Sequence, residues 1–131
     1  MRLNLSEDQL GAVLDTVSDA VFIVDRDSIV CGFNRVAEEI TGQQAEHVIG
    51  KRCRDVFDSS GCDNGCPLKQ TLRSGQAQEG RLSLRDTNHQ ERCICLRTAA
   101  LRDAQGEIVG GVQAFQRMPA GMKSATLEAL P

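Results

Sequence analysis

The second half of the chain constrains the fold most. Three apolar-rich runs, residues 78–85, 92–101 and 108–115, are separated by two short polar turns, Asp86-Thr87-Asn88-His89 and Asp103-Ala104-Gln105-Gly106. Turns this short join strands only as hairpins, because a parallel neighbour needs a crossover of about a dozen residues. In the first run Leu82 and Leu84 alternate with Arg81, Ser83 and Arg85, the pattern of a half-exposed strand. In the second, Ile94, Leu96 and Thr98 share one face, and Cys93, Cys95 and Arg97 share the other. The charge on Arg97 predicts that its face looks away from the core. The third run carries Gly110-Gly111, and paired glycines weaken a strand unless a bulge or a close approach by another group requires them.

The first half reads as helices around one further hairpin. Ser6 and Gln9 resemble a capping box, and Leu10, Val13, Leu14 and Val17 follow as one apolar stripe on a helix over residues 6–17. Such a stripe is buried either on the chain's own sheet or on a second copy. Residues 20–24 and 29–33 read as paired strands around the turn Asp25-Arg26-Asp27-Ser28, with Cys31 placed by alternation as a small core side chain between Ile29 and Phe33. Asn34 is the expected N-cap of a short helix closed by Gly42, and a second helical turn, residues 44–48, stops at Gly50.

The chain has 131 residues, the size of a single domain, and it has no Trp, no Tyr and four Phe, so its core is built from Val, Ile and Leu. A net charge of −3 without a basic run argues against direct nucleic-acid binding. There is no apolar run long enough to span a bilayer and no secretory leader, which predicts a cytoplasmic module without a membrane partner. The expected division is a dimerisation helix over 1–18, a sensor domain over 19–118, and the start of a linker to an effector over 119–131.

Residues 50–75, GKRCRDVFDSSGCDNGCPLKQTLRSG, hold three of the six cysteines, Cys53, Cys62 and Cys66, spaced C-x8-C-x3-C around a turn-forming loop. Cys66-Pro67 reads as the N-cap and first residue of a helix bearing Leu68 and Leu72 on one face and ending at Gly75. The positive end of that helix dipole is expected to lower the Cys66 thiol pKa. The thiols admit three readings. Cys53, Cys62 and Cys66 ligate zinc or an iron–sulfur cluster, with a fourth ligand from Cys31, Cys93, Cys95 or outside the chain. Alternatively, Cys62 and Cys66 form a dithiol switch. In the third reading the cysteines are reduced and fill a helical cap.

The segments AVFIVDRDSIVCGFNRVAEEITG, HVIGK and LRDAQGEIVGGVQAF, in this order, resemble the PAS domain family across residues 9–118. The resemblance implies an α+β fold: a five-stranded antiparallel sheet covered on one face by short helices, with a pocket between them and an amphipathic helix at the N-terminus. The cysteine-bearing stretch looks like a subset of PAS domains found in bacterial sigma-54-dependent transcriptional regulators and in sensor kinases. The implied role is signal sensing as a homodimer coupled to an ATPase or kinase effector, and not catalysis. The ligand would lie beneath residues 57–72, contacting Phe57, Leu68 and Leu72 beside the three thiols. A dimerisation and docking module with structural cysteines and no ligand is the alternative. Gly50-Lys51-Arg52-Cys53-Arg54 is superficially similar to the flavin-linked cysteine motif of light-sensing relatives, but the residues that follow differ, which argues against flavin. His47 and His89 lie off the helix where haem-binding relatives place a ligand, which argues against haem.

Overall fold

A computed structural model describes residues 7–56, 58–59, 66–85, 87–88 and 90–117, some of them in backbone only. The elements run α1 (Glu7–Thr16), β1 (Ala20–Asp25), β2 (Val30–Phe33), α2 (Arg35–Thr41), α3 (Ala45–Val48), α4 (Cys53–Val56), β3 (Asp58–Ser59), α5 (Pro67–Ser74), β4 (Glu79–Arg85), β5 (Glu91–Arg102) and β6 (Ile108–Arg117). The strands form one antiparallel sheet in the order β2-β1-β6-β5-β4-β3. Five of them are the strands that the alternation predicts. The sixth, β3, adds two residues at the edge, pairing Asp58 with Arg85 and Ser59 with Leu84.

One face of the sheet carries the core. Ala20, Phe22 and Val24 from β1, Phe115 from β6, Ile94 and Leu96 from β5 and Leu82 from β4 are all buried there, and Phe22 meets Phe115 edge to face with ring centroids 6.0 Å apart. Alternation on β5 falls as the sequence predicts: Ile94, Leu96 and Thr98 are buried, Arg97 is exposed, and Cys93 and Cys95 are half-buried on the opposite face.

Helices close the core from above. The Asn34 side chain caps α2 by accepting from the Ala37 N–H, and Gly42 ends that helix in the left-handed region with φ 76°. In α5, Cys66 is the N-cap and Pro67 the first helical residue, and Gly75 ends the helix with φ 76°. This helix packs on β5 and β6. Its buried Thr71 hydroxyl lies 2.6 Å from the Thr98 hydroxyl of β5, and Thr71 also donates to the Gln76 carbonyl. Gly111 of β6 sits directly beneath it: a Cβ there would come within 2.9 Å of Leu68 Cδ1 and 3.3 Å of Leu72 Cδ2. The glycine pair thus marks a close approach, as its sequence suggests.

One expectation changes. Cys31 is exposed and not a core side chain. Phe22 pairs with Phe33 and Ile23 with Gly32, but Val24 then pairs with Val30, so Cys31 is the extra residue of a bulge and the inward face shifts to Val30. Of the apolar stripe, Leu14 is half-buried, Val13 is 47% exposed and Val17, just after α1, is 37% exposed. Ser6, Cys62, Phe57, His89 and the linker over 119–131 lie outside the described residues.

Candidate functional site

The site is assembled by two helix starts meeting the first hairpin turn. In that turn Asp25 Oδ1 accepts from the Asp27 and Ile29 N–H groups at 2.9 and 3.0 Å, and Ser28 takes a left-handed φ of 65°, which short polar residues tolerate better than bulky ones. The segment leading into α4 then runs antiparallel beside the turn. Cys53 N–H donates to the Ser28 carbonyl at 2.8 Å, Val30 N–H to Lys51 at 2.9 Å, and Gly50 N–H to Val30 at 2.8 Å, with a bridge between Ile29 and Arg52. Backbone pairing of this kind fixes Cys53 at the hairpin end of the sheet.

The start of α5 arrives at the same place, held by Thr71 and Thr98 one turn further on. Between the two starts lies a cavity of about 170 Å³ lined by Asp27, Ser28, Arg52, Cys53, Arg54, Cys66, Leu68 and Lys69. Leu68 is buried and Cys53 and Cys66 are half-buried, all three against the core, whereas Asp27, Arg52, Arg54 and Lys69 are exposed. The cavity therefore has an apolar, thiol-bearing floor and a charged mouth to which, among the described residues, Arg52, Arg54, Lys69 and Asp27 contribute.

Of the expected site residues, the structure brings Cys53, Cys66 and Leu68 together on this cavity. Leu72 stands on the same helix, packed on the core above Gly111. Cys62 and Phe57 lie outside the described residues. A tetrahedral zinc site needs four donors, and among the described residues no group of three or more His, Cys, Asp or Glu side chains is gathered to hold a metal ion. The two thiols fit half of such a set. Cys93 and Cys95 lie on the far face of the sheet, and Cys31 on the outer side of its bulge, so none of the three lines the cavity. His47 is exposed, 3.9 Å from Glu46. Burial and the Asp25 carboxylate raise the Cys31 thiol pKa above its ordinary value.

Gln113 is a residue that the alternation of β6 could have found. It points to the helix-covered face between Phe22 and Thr98 and is only 8% exposed.

A family model described as the PAS fold matches residues 8–118. A comparison with curated proteins finds no match. Solved structures show the same fold. The PAS domain of a protein from Colwellia psychrerythraea is 15% identical with a TM-score of 0.72, the alignment covering 85% of this chain and 95% of that one. A Vibrio cholerae VqmA dimer structure determined in the absence of target DNA is 16% identical with a TM-score of 0.71, covering 88% of this chain and 54% of VqmA. A light-oxygen-voltage domain studied with a flavin analogue is 20% identical with a TM-score of 0.69, covering 85% of each chain. Among the described residues no helix is long and apolar enough to cross a membrane.

Proposed function

This chain belongs to the PAS family, and from that premise we propose that it is the dimerising, signal-sensing module of a cytoplasmic bacterial regulator whose signal acts on the thiols of residues 53–66. The observation that carries the reading is the meeting of Cys53 and Cys66, thirteen positions apart in sequence, on one cavity beside the buried Leu68. The module converts occupancy or oxidation into a shift between two arrangements and leaves chemistry to an attached effector of the ATPase or kinase type. The sigma-54-dependent regulators and sensor kinases are the proposed hosts.

The thiols can act in two ways. Deprotonated, with Cys62 as a third donor, they hold zinc or an iron–sulfur cluster whose remaining ligands come from elsewhere. Oxidised, two of them join: two S–H bonds break, one S–S bond forms, and two protons and two electrons pass to a small disulfide such as oxidised glutathione, which leaves as two thiols. Dimerisation through α1 is supported by the exposed Val13 on that helix and Val17 just after it, apolar surface that a second copy would cover. It is also supported by the likeness to VqmA, which is described as a dimer and whose chain extends well beyond the matched part.

Native mass spectrometry with metal analysis, together with light scattering of reduced and oxidised protein, tests the reading. Bound metal, or a loss of two hydrogens with a changed association state, is the expected result. Metal-free thiols and one association state under both conditions would refute it.

A further inference from the structure

We propose that the cavity between the first hairpin turn, α4 and α5 binds a small organic monocarboxylate with a compact apolar body, a ligand class that deepens and rests on the sensing reading above. The division of the lining residues carries this. Leu68 and the half-buried Cys53 and Cys66 form a floor without a full charge, whereas, among the described residues, Arg52, Arg54 and Lys69 stand exposed at the mouth with the carboxylate of Asp27. The described lining of the mouth therefore carries an excess of positive charge in a protein whose net charge is −3. A neutral apolar ligand would not engage Arg52 and Lys69, and an inorganic anion would not engage the floor.

Size and backbone agree with an acid. A cavity of about 170 Å³ is close to the engineered apolar cavity of about 150 Å³ that holds benzene, so a ring or short aliphatic body fits with its charged group at the opening. The positive end of the α5 dipole opens on the same space, because α5 begins at Pro67 and the Cys66 side chain makes no capping hydrogen bond to its first turn. The walls are fixed: the Asp25 carboxylate fastens the turn, and backbone bonds from Cys53 to Ser28 and from Val30 to Lys51 fasten the start of α4 to β2. Preorganised walls lower the ordering cost of binding. Arginine suits the role because its planar fork matches a carboxylate with two parallel bonds.

The test uses the reduced full chain with benzoate and hexanoate as probes, read by titration calorimetry and by the probes' own proton signals in saturation-transfer NMR. Both acids are expected to bind, and benzamide, the neutral match for benzoate, at least about tenfold more weakly, the ratio that about 1.4 kcal/mol supplies. The exposed double variant Arg52→Gln/Lys69→Gln is expected to lose acid binding and to keep the parent melting temperature. Binding of benzamide as tight as that of benzoate, binding that survives the double variant, or inorganic phosphate binding as well as the acids would each overturn the carboxylate assignment. So would absence of binding by both acids. Association on oxidation is measured separately. A redox response without acid binding removes the ligand class and leaves the sensor, whereas acid binding without any redox or metal response removes the thiol chemistry and leaves the cavity.

Discussion

Cys31 sits on the outer side of the β2 bulge with its thiol pKa raised, first by partial burial and then by the Asp25 carboxylate. Alternation alone turned this residue inward, because a period-two reading assumes unbroken register and a bulge inserts one residue without a sequence mark. The raised pKa has a definite sign. The fold favours the neutral thiol, so the contribution is present below the ordinary cysteine range and is lost as pH rises through the shifted value. Iodoacetamide labelling of Cys31, followed by peptide mass spectrometry from pH 7 to pH 10, is therefore expected to show its half-maximal rate above that of a model cysteine peptide. Asp25→Asn keeps an acceptor for the Asp27 and Ile29 N–H groups and removes the charge, and should move that midpoint down; an unmoved midpoint would mean burial alone sets it.

Capping and close approach were the most legible features of the elements, since Asn34, Gly42, Cys66-Pro67 and Gly75 each carry a local chemical signature. What Asn34 does beyond its own helix was not legible. Besides capping α2, its Oδ1 accepts from Val21 N–H at 2.9 Å, and its Nδ2 donates to the Leu14 and Asp19 carbonyls at 3.1 and 2.9 Å. One buried amide thus ties α1, β1 and α2 together. Asn34→Asp keeps an acceptor for Val21 and Ala37 but sets an oxygen against two carbonyls. It is expected to cost about 2 kcal/mol and to speed amide exchange in α1 while β1 stays protected; uniform acceleration would show that the tie is not selective. The glycine pair of β6 separates two kinds of crowding. A Cβ on Gly111 meets the ends of Leu68 and Leu72, which can give by tenths of an ångström, whereas one on Gly110 meets the Val24 carbonyl oxygen, which cannot. In chemical denaturation Gly111→Ala should cost about 1 kcal/mol and Gly110→Ala on the order of 3 kcal/mol; the reverse order would contradict the packing described for α5.

For the whole molecule, the individual strands were readable because turns and alternation act locally, whereas their gathering into one helix-covered sheet followed from the PAS resemblance, since β1 pairs with the distant β6. The cavity was not readable in that way. Spacing placed Cys53, Cys62 and Cys66 in one stretch, but the meeting of Cys53 with Cys66 beside Asp27 and Ser28 depends on long-range backbone pairing between the first hairpin and residues 50–53. The β3 edge pair was missed for a related reason, since two residues carry no periodicity. Sheet order has a mechanical consequence. Ala20 at the start of β1 pairs with Phe115 near the end of β6, while Asp25 at the other end pairs with Gly110, next to the turn that walls the cavity. The start of β1 and the end of β6 thus lie side by side, at the end of the sheet away from the cavity. An effector of the proposed kind, attached next to either strand end, would feel a displacement at Ser28 along about 20 Å of paired strand.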